Sequence, residues 1–344
     1  MRCVEFICLS VLMVFFVSAC GSDSDPAPLD NLQGNFLIVQ FAADNGNSSA
    51  ALADLTFNGN GTGTYSERGG GGGPFTYTLA ADGSINIEGD SGQTDSTYNL
   101  LSIVDNDHLG DGYAQVAAGI RKGSGFTDAD LVGIFRFVEL STGGPTVDTA
   151  NIDITFNGFG GATADVDSSD DLADAVGIAL TYTMTSSGEF TLTDGPGGDV
   201  SLIGQLSNDG SVAIMGTGAG DSMSTLVGIR TSTGNSDASF TGNYSAAQFF
   251  FEPANTPPEY TSKLSITSDG AGSISGSFAD SDGTTGTIPV GFGYSVIDDG
   301  SFEIEMSGAT TRETGQLSES GNAFVSSDVV ADGDVMTMFG IKKF

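Results

Sequence analysis

The chain has 344 residues, a formal net charge of −34, 51 glycines, no tryptophan and three cysteines. So acidic a surface repels phosphate backbones and anionic headgroups, which excludes nucleic acid as a partner. Hydrophobic residues make up 39% of the chain, enough for real cores and too many for wholesale disorder.

Met1-Arg2 opens the sequence, an apolar run from Phe6 to Val17 follows, and small residues close it at Val17-Ser18-Ala19-Cys20, the layout of an export signal. About a dozen apolar residues fall short of the roughly 20 that a spanning helix needs. The closing tetrapeptide resembles the lipobox of bacterial lipoproteins, although Val17 stands where leucine is commoner and Glu5 enters a region that is usually positive. The resemblance implies cleavage before Cys20 and acylation of both its thiol and its new amino terminus. Two or three acyl chains hold a protein stably where one binds marginally. Residues 1–19 then form the signal, Cys20 is the lipidation site, and the bilayer is the first partner. Gly21 after the cysteine implies, by the same resemblance, sorting to the outer membrane, with the face left open. The plainer reading is an ordinary cleaved signal with an incidental cysteine.

Cys3 and Cys8 leave with the signal, so a disulfide within one mature chain is excluded. Arg2 and Glu5 leave together, and the charge stays at −34. Residues 20–32, Cys20 followed by GSDSDPAPLDNL, read as a solvated, proline-broken tether.

From residue 33 onward short alternating segments recur between Gly, Asp and Asn turns, as in Asp54-Leu-Thr-Phe57, Phe75-Thr-Tyr-Thr-Leu79 and Ser84-Ile-Asn-Ile87. Period-two alternation predicts half-buried strands, so the fold class is all-β. Four landmarks then recur in order three times, the mark of a repeated unit. Each copy opens on Gly-x-aromatic: Gly34-Asn35-Phe36, Gly133-Ile134-Phe135, Gly242-Asn243-Tyr244. A hairpin-like stretch follows, Asp54 to Gly59, Asp153 to Gly158 and, more loosely, Lys263 to Gly270. A tyrosine precedes a turn glycine by six residues, at Tyr77 and Gly83, Tyr182 and Gly188, Tyr294 and Gly300. Each copy closes on Gly-Ile-basic at Gly119-Ile120-Arg121, Gly228-Ile229-Arg230 and Gly340-Ile341-Lys342. Copies two and three also share Gly204-Gln-Leu-Ser207 and Gly315-Gln-Leu-Ser318.

The copies span 33–125, 131–235 and 240–344. At about 12 residues per strand and turn, each holds around eight antiparallel strands, enough to close a small up-and-down barrel. The rhythm resembles lipocalin and calycin barrels at pattern level, without their tryptophan or a diagnostic motif. The competing architecture pools all strands into one six-bladed β-propeller. A membrane-spanning barrel is disfavoured, because the Asp-, Asn- and Ser-rich strands lack an outward apolar band with aromatic girdles.

Little of the usual catalytic chemistry has its parts. His108 is the only histidine and Cys20 the only retained thiol, so Ser-His-Asp and Cys-His catalysis and His/Cys zinc sites are unavailable. Paired carboxylates of the glycosidase kind survive as a remote alternative. Calcium is the better metal question, with Asp105, Asp107, Asp111, Asp280 and Asp282 the weak candidates, read otherwise as solvated acidic turns. No cofactor is expected beyond such a structural ion. Gly69 to Gly73 lacks the lysine of a phosphate loop and reads as a hairpin loop. Scarce bases at fixed repeat positions (Arg121, Lys122, Arg230, Lys342 and Lys343) either pair with carboxylates at a barrel rim or form an anionic-ligand site. Tyr77, Tyr182 and Tyr294 either pack the core or line a ligand pocket. The sequence thus points to a non-enzymatic envelope lipoprotein with a binding or structural role toward a protein or glycan of the envelope. Its alternative is a small-ligand carrier using barrel interiors.

Overall fold

The computed structural model describes residues 32–44, 47–105, 114–142, 147–168, 175–194, 201–217, 223–251, 259–288, 292–306, 312–328 and 335–344. The lipobox, Cys20, His108, Asp107 and Asp111 lie outside these residues.

The first unit runs through β1 (Gln33–Asp44), β2 (Asn47–Asn58), β3 (Thr62–Glu67), β4 (Gly72–Leu79), β5 (Ser84–Ile87), β6 (Asp90–Thr94), β7 (Leu100–Val104) and β8 (Ala114–Arg121). The second comprises β9 (Val132–Thr142), β10 (Val147–Asn157), β11 (Gly161–Ser168), β12 (Ala175–Met184), β13 (Glu189–Asp194), β14 (Ser201–Leu206), β15 (Val212–Thr217) and β16 (Met223–Arg230). Each is a closed meander barrel in which every strand pairs antiparallel with the next and the last pairs with the first. The propeller alternative is thereby set aside.

The third unit departs from its siblings. Its strands are β17 (Thr241–Phe251), β18 (Glu259–Asp269), β19 (Ile274–Asp280), β20 (Thr285–Ile288), β21 (Phe292–Val296), β22 (Ser301–Met306), β23 (Arg312–Leu317), β24 (Ala323–Asp328) and β25 (Val335–Lys342). Among the described residues they form a nine-stranded sheet that starts at β20 and ends at β21, with the bridge Ser273–Gly293 between β21 and the start of β19. Residues 289–291, between β20 and β21, lie outside the described residues.

The repeated landmarks are the closure of each barrel. Opening and closing strands pair so that Phe36 faces Arg121, Phe135 faces Arg230 and Tyr244 faces Lys342. The closing glycine is needed because a side chain crosses over it: a Cβ on Gly228 would lie 2.3 Å from the Phe137 ring, and one on Gly340 would lie 2.0 Å from that of Phe324.

The turn glycine serves a second device. Gly188 and Gly300 sit at φ +82° and +86°, and a Cβ there would meet the buried amide of Gln205 or Gln316 at 2.7 and 2.5 Å. Gln93, Gln205 and Gln316 each donate from Nε2 to a turn carbonyl, of Asp82, Ser187 and Asp299, at 2.8 Å. Gln93 follows Gly92, so the first copy carries the glycine-glutamine pair as well.

Two buried faces hold the molecule together. Inside the second barrel Phe135, Phe137, Phe156, Tyr182 and Phe190 pack edge to face or stacked, each buried ring contributing on the order of 2 kcal/mol. Outside the barrels a shared core joins Leu37, Val39 and Ile120 of the first unit, Val138, Ile214 and Ile229 of the second, and Val325, Phe339 and Ile341 of the third.

Candidate functional site

The third unit differs from the second in what its strands send inward. β17 directs Tyr244, Ala246, Gln248 and Phe250 to the lumen while Phe249 and Phe251 join a cluster with the other units. By register Ala246 takes the place of Phe137, and Ser268 that of Phe156. Phe240 and Phe324 refill the floor, packing on Tyr244 and Phe302. Above that floor a cavity of about 350 Å3 remains.

Its lower wall is apolar: Leu264, Ile266, Ile274, Phe278, Ile304 and Met338 line it. Phe250 and Tyr260 also line it and stack on each other at 4.5 Å, their planes 12° apart. The polar part comes from Gln248, Ser262, Asp280, Glu313 and Asp328. Glu313 and Asp328 face each other one step beyond the Thr314–Ser327 pair of β23 and β24, and Asp280 stands beside Ser262 on the other side of the unit.

Burial pushes the Glu313 carboxyl up to about 7; the Ser326 hydroxyl, which donates to it, acts in the opposite sense, and neighbouring Asp328 adds to the rise. Burial also raises Asp280, opposed by the Ser262 hydroxyl and helped by Asp282. Among the described residues no Lys, Arg or His lines this cavity. The lumen therefore offers an apolar body and a carboxyl-bearing polar end whose charge an apolar setting opposes.

The repeated tyrosines are occupied elsewhere. The Tyr77 hydroxyl donates to the Leu32 carbonyl at 2.9 Å. Tyr182 reaches the carbonyls of Asp128 and Leu131, and Tyr294 those of Asp237 and Phe240, at 2.9 to 3.1 Å. Each ties down the segment that leads into its own barrel, and Tyr294 is not among the residues lining the cavity.

The bases at the repeat ends are likewise engaged with the fold. Arg121 lies against Gly34. Arg230 donates to the Asp130 carbonyl at 2.7 Å, sits 5.1 Å above the Phe135 ring and is lowered in pKa by burial. Lys342 lies 5.9 Å from the Tyr244 ring centre, and Lys343 reaches Ser265. Lys122 and Arg68 share Asp54 and Glu189 in a cluster that joins the first unit to the second.

Of the calcium candidates, Asp280 lines the cavity, Asp282 accepts the Thr284 N–H at 2.7 Å, and the Asp105 main-chain carbonyl accepts from the Thr261 hydroxyl. Among the described residues no three acidic, histidine or cysteine side chains gather so that they could hold a metal ion.

Glu313, Asp328, Gln248, Phe250 and Tyr260 escaped the sequence reading. A signal for Glu313 was present. Counting two residues back from the shared Gly-Gln-Leu-Ser gives Leu202 in the second copy and Glu313 in the third, an acid at an inward apolar position.

The chain matches no family model and no curated protein. Among solved structures it is similar to transferrin-binding protein B, isotype 1, from serogroup B Neisseria meningitidis, with 10% identity, 91% of this chain and 77% of that one covered, and a TM-score of 0.31. A double mutant of transferrin-binding protein B from Haemophilus parasuis is 11% identical over 90% of this chain and 76% of that one, with a TM-score of 0.31. A protein of unknown function of the DUF3598 family from Nostoc punctiforme is 12% identical over 63% of this chain and 99% of that one, with a TM-score of 0.24. At these values no property passes from those proteins to this chain.

Proposed function

We propose that the chain is a non-enzymatic, lipid-anchored binding protein of the bacterial envelope, held at the outer membrane through Cys20, and that it carries a small, largely apolar molecule in the lumen of its third unit. The cavity of about 350 Å3 carries this reading, since small-molecule sites occupy about 300 to 1,000 Å3 with apolar walls and a few placed polar groups. At the places of lining residues Leu264, Glu313 and Met338 the second barrel packs Ile152, Leu202 and Leu226 into its core, so an open lumen is not a requirement of the fold. A glycosidase reading draws on the same carboxylates. It is disfavoured because Leu, Ile, Phe and Met side chains make most of the wall, where sugar hydroxyls would be left without partners.

The test is titration with Nile red, a neutral apolar fluorophore, against the wild type and Ser262→Phe, which fills the lumen from a wall position. One site per chain in the wild type and its loss in a folded Ser262→Phe are expected. No binding to the wild type, or binding untouched by the filled variant, would remove the lumen as the site. Native mass spectrometry of protein taken from its membrane should show acyl mass that Cys20→Ala lacks.

A further inference from the structure

The polar end of the cavity says more about its occupant than the volume does. Three carboxyl groups from three strands, Asp280 on β19, Glu313 on β23 and Asp328 on β24, line one lumen, and among the described residues no lysine, arginine or histidine joins them in its walls. The other polar members, Gln248 and Ser262, are neutral.

These acids are not demanded by the barrel. The corresponding places in the second unit hold Ser168, Leu202 and Thr217, in a barrel that closes fully. Placing a carboxylate where leucine serves costs solvation free energy, and a second carboxylate facing it adds repulsion. A bound cation removes both penalties. The stacked Phe250 and Tyr260 add π-electron density to the lining, and a ring within about 6 Å attracts an ammonium group further. Below them Leu264, Ile266, Ile274 and Ile304 offer contact only to hydrocarbon. An anionic amphiphile such as a fatty acid would set its carboxylate among three others, on a chain already at −34.

We propose that the occupant is a cationic amphiphile, with an amine or quaternary ammonium head at Glu313 and Asp328, Asp280 facing them across the lumen, and a hydrocarbon body resting on the isoleucine and leucine floor. This assignment rests on the lumen being a binding site.

The experiment displaces Nile red from the full chain with three ligands of equal tail length, all below micelle formation: decyltrimethylammonium, decanol and decanoate. The cation should displace at about tenfold lower concentration than the alcohol, the scale of one favourable charge contact, and decanoate should be the weakest. Glu313→Gln together with Asp328→Asn should bring the cation and alcohol together while leaving alcohol binding in place. Glu313→Leu copies the residue of the second unit and serves as the folding control.

If Nile red and all three ligands fail to bind, the lumen reading itself falls. If the alcohol binds as well as the cation, or decanoate binds best, the lumen stands and the cationic assignment falls. A cation preference unmoved by the double variant overturns the placement of the head at these carboxylates.

Discussion

Glu313 is where charge, burial and ligand meet, and its titration has a definite sign. Its usual value of 4.5 applies to the unfolded chain, and burial pushes the folded group up to about 7. The folded state therefore holds a proton that the unfolded state has released, so stability falls as pH rises from about 4.5 and levels off above about 7. The groups facing Glu313 are the Ser326 hydroxyl and Asp328 on β24 and apolar Ile304 on β22, with Asp280 across the lumen. Asp280, also raised by burial, works in the same direction. A shift of this size corresponds to at most about 3 kcal/mol. Urea unfolding of wild type and Glu313→Gln at about pH 5 and about pH 8 should show the wild type losing more stability across that interval, with the variant's loss smaller by about 1 to 3 kcal/mol. Equal losses would mean that the carboxyl is hydrated.

At the scale of elements, the lead-in segments and the tyrosines that hold them form one device used three times. Tyr182 donates its single proton in a region bounded by two carbonyls, while Asp128 accepts the Met184 N–H at 2.9 Å. Tyr294 and Asp237 repeat this with Val296. Removing one such hydroxyl leaves buried acceptors short of a donor, so Tyr182→Phe and Tyr294→Phe should each cost about 1 to 3 kcal/mol in chemical unfolding. Nile red affinity should stay unchanged in Tyr294→Phe, and a tenfold loss there would return the tyrosine to the ligand site. The tyrosines were legible in the sequence because they keep fixed spacing to a turn glycine. Their partners were not, because a hydroxyl donating to a main-chain carbonyl leaves no mark on the residue that accepts.

At the scale of the whole molecule the three units form a ring in which each one's exit segment packs on the turn glycine of the next. Phe126 lies against Gly188, Asn235 against Gly300, and Phe344 against Gly83, with Phe344 also edge-on to Tyr98 of the first unit. Arg136 pairs with Asp153 through two bonds of 2.9 Å and donates to Ser301 of the third unit. Together with the shared core these contacts make the units parts of one folded body. The sequence carried a sign of it. Leu100–Val104, Val212–Thr217 and Ala323–Asp328 stand at the same place in each copy and are buried on both faces, where β4 alternates. A strand apolar on both sides belongs to two cores at once. Read by period alone, such a run shows that a second surface is covered and leaves its partner unnamed; the ring supplies that partner. Calorimetry should therefore give one cooperative transition whose van't Hoff enthalpy equals the calorimetric enthalpy. A fragment of residues 131–235 should expose Val138, Val212, Ile214 and Ile229 and associate or unfold at a lower temperature than the whole chain. Three separate transitions, or a fragment as stable as its parent, would show independent barrels on a string and confine the apolar faces to a minor role.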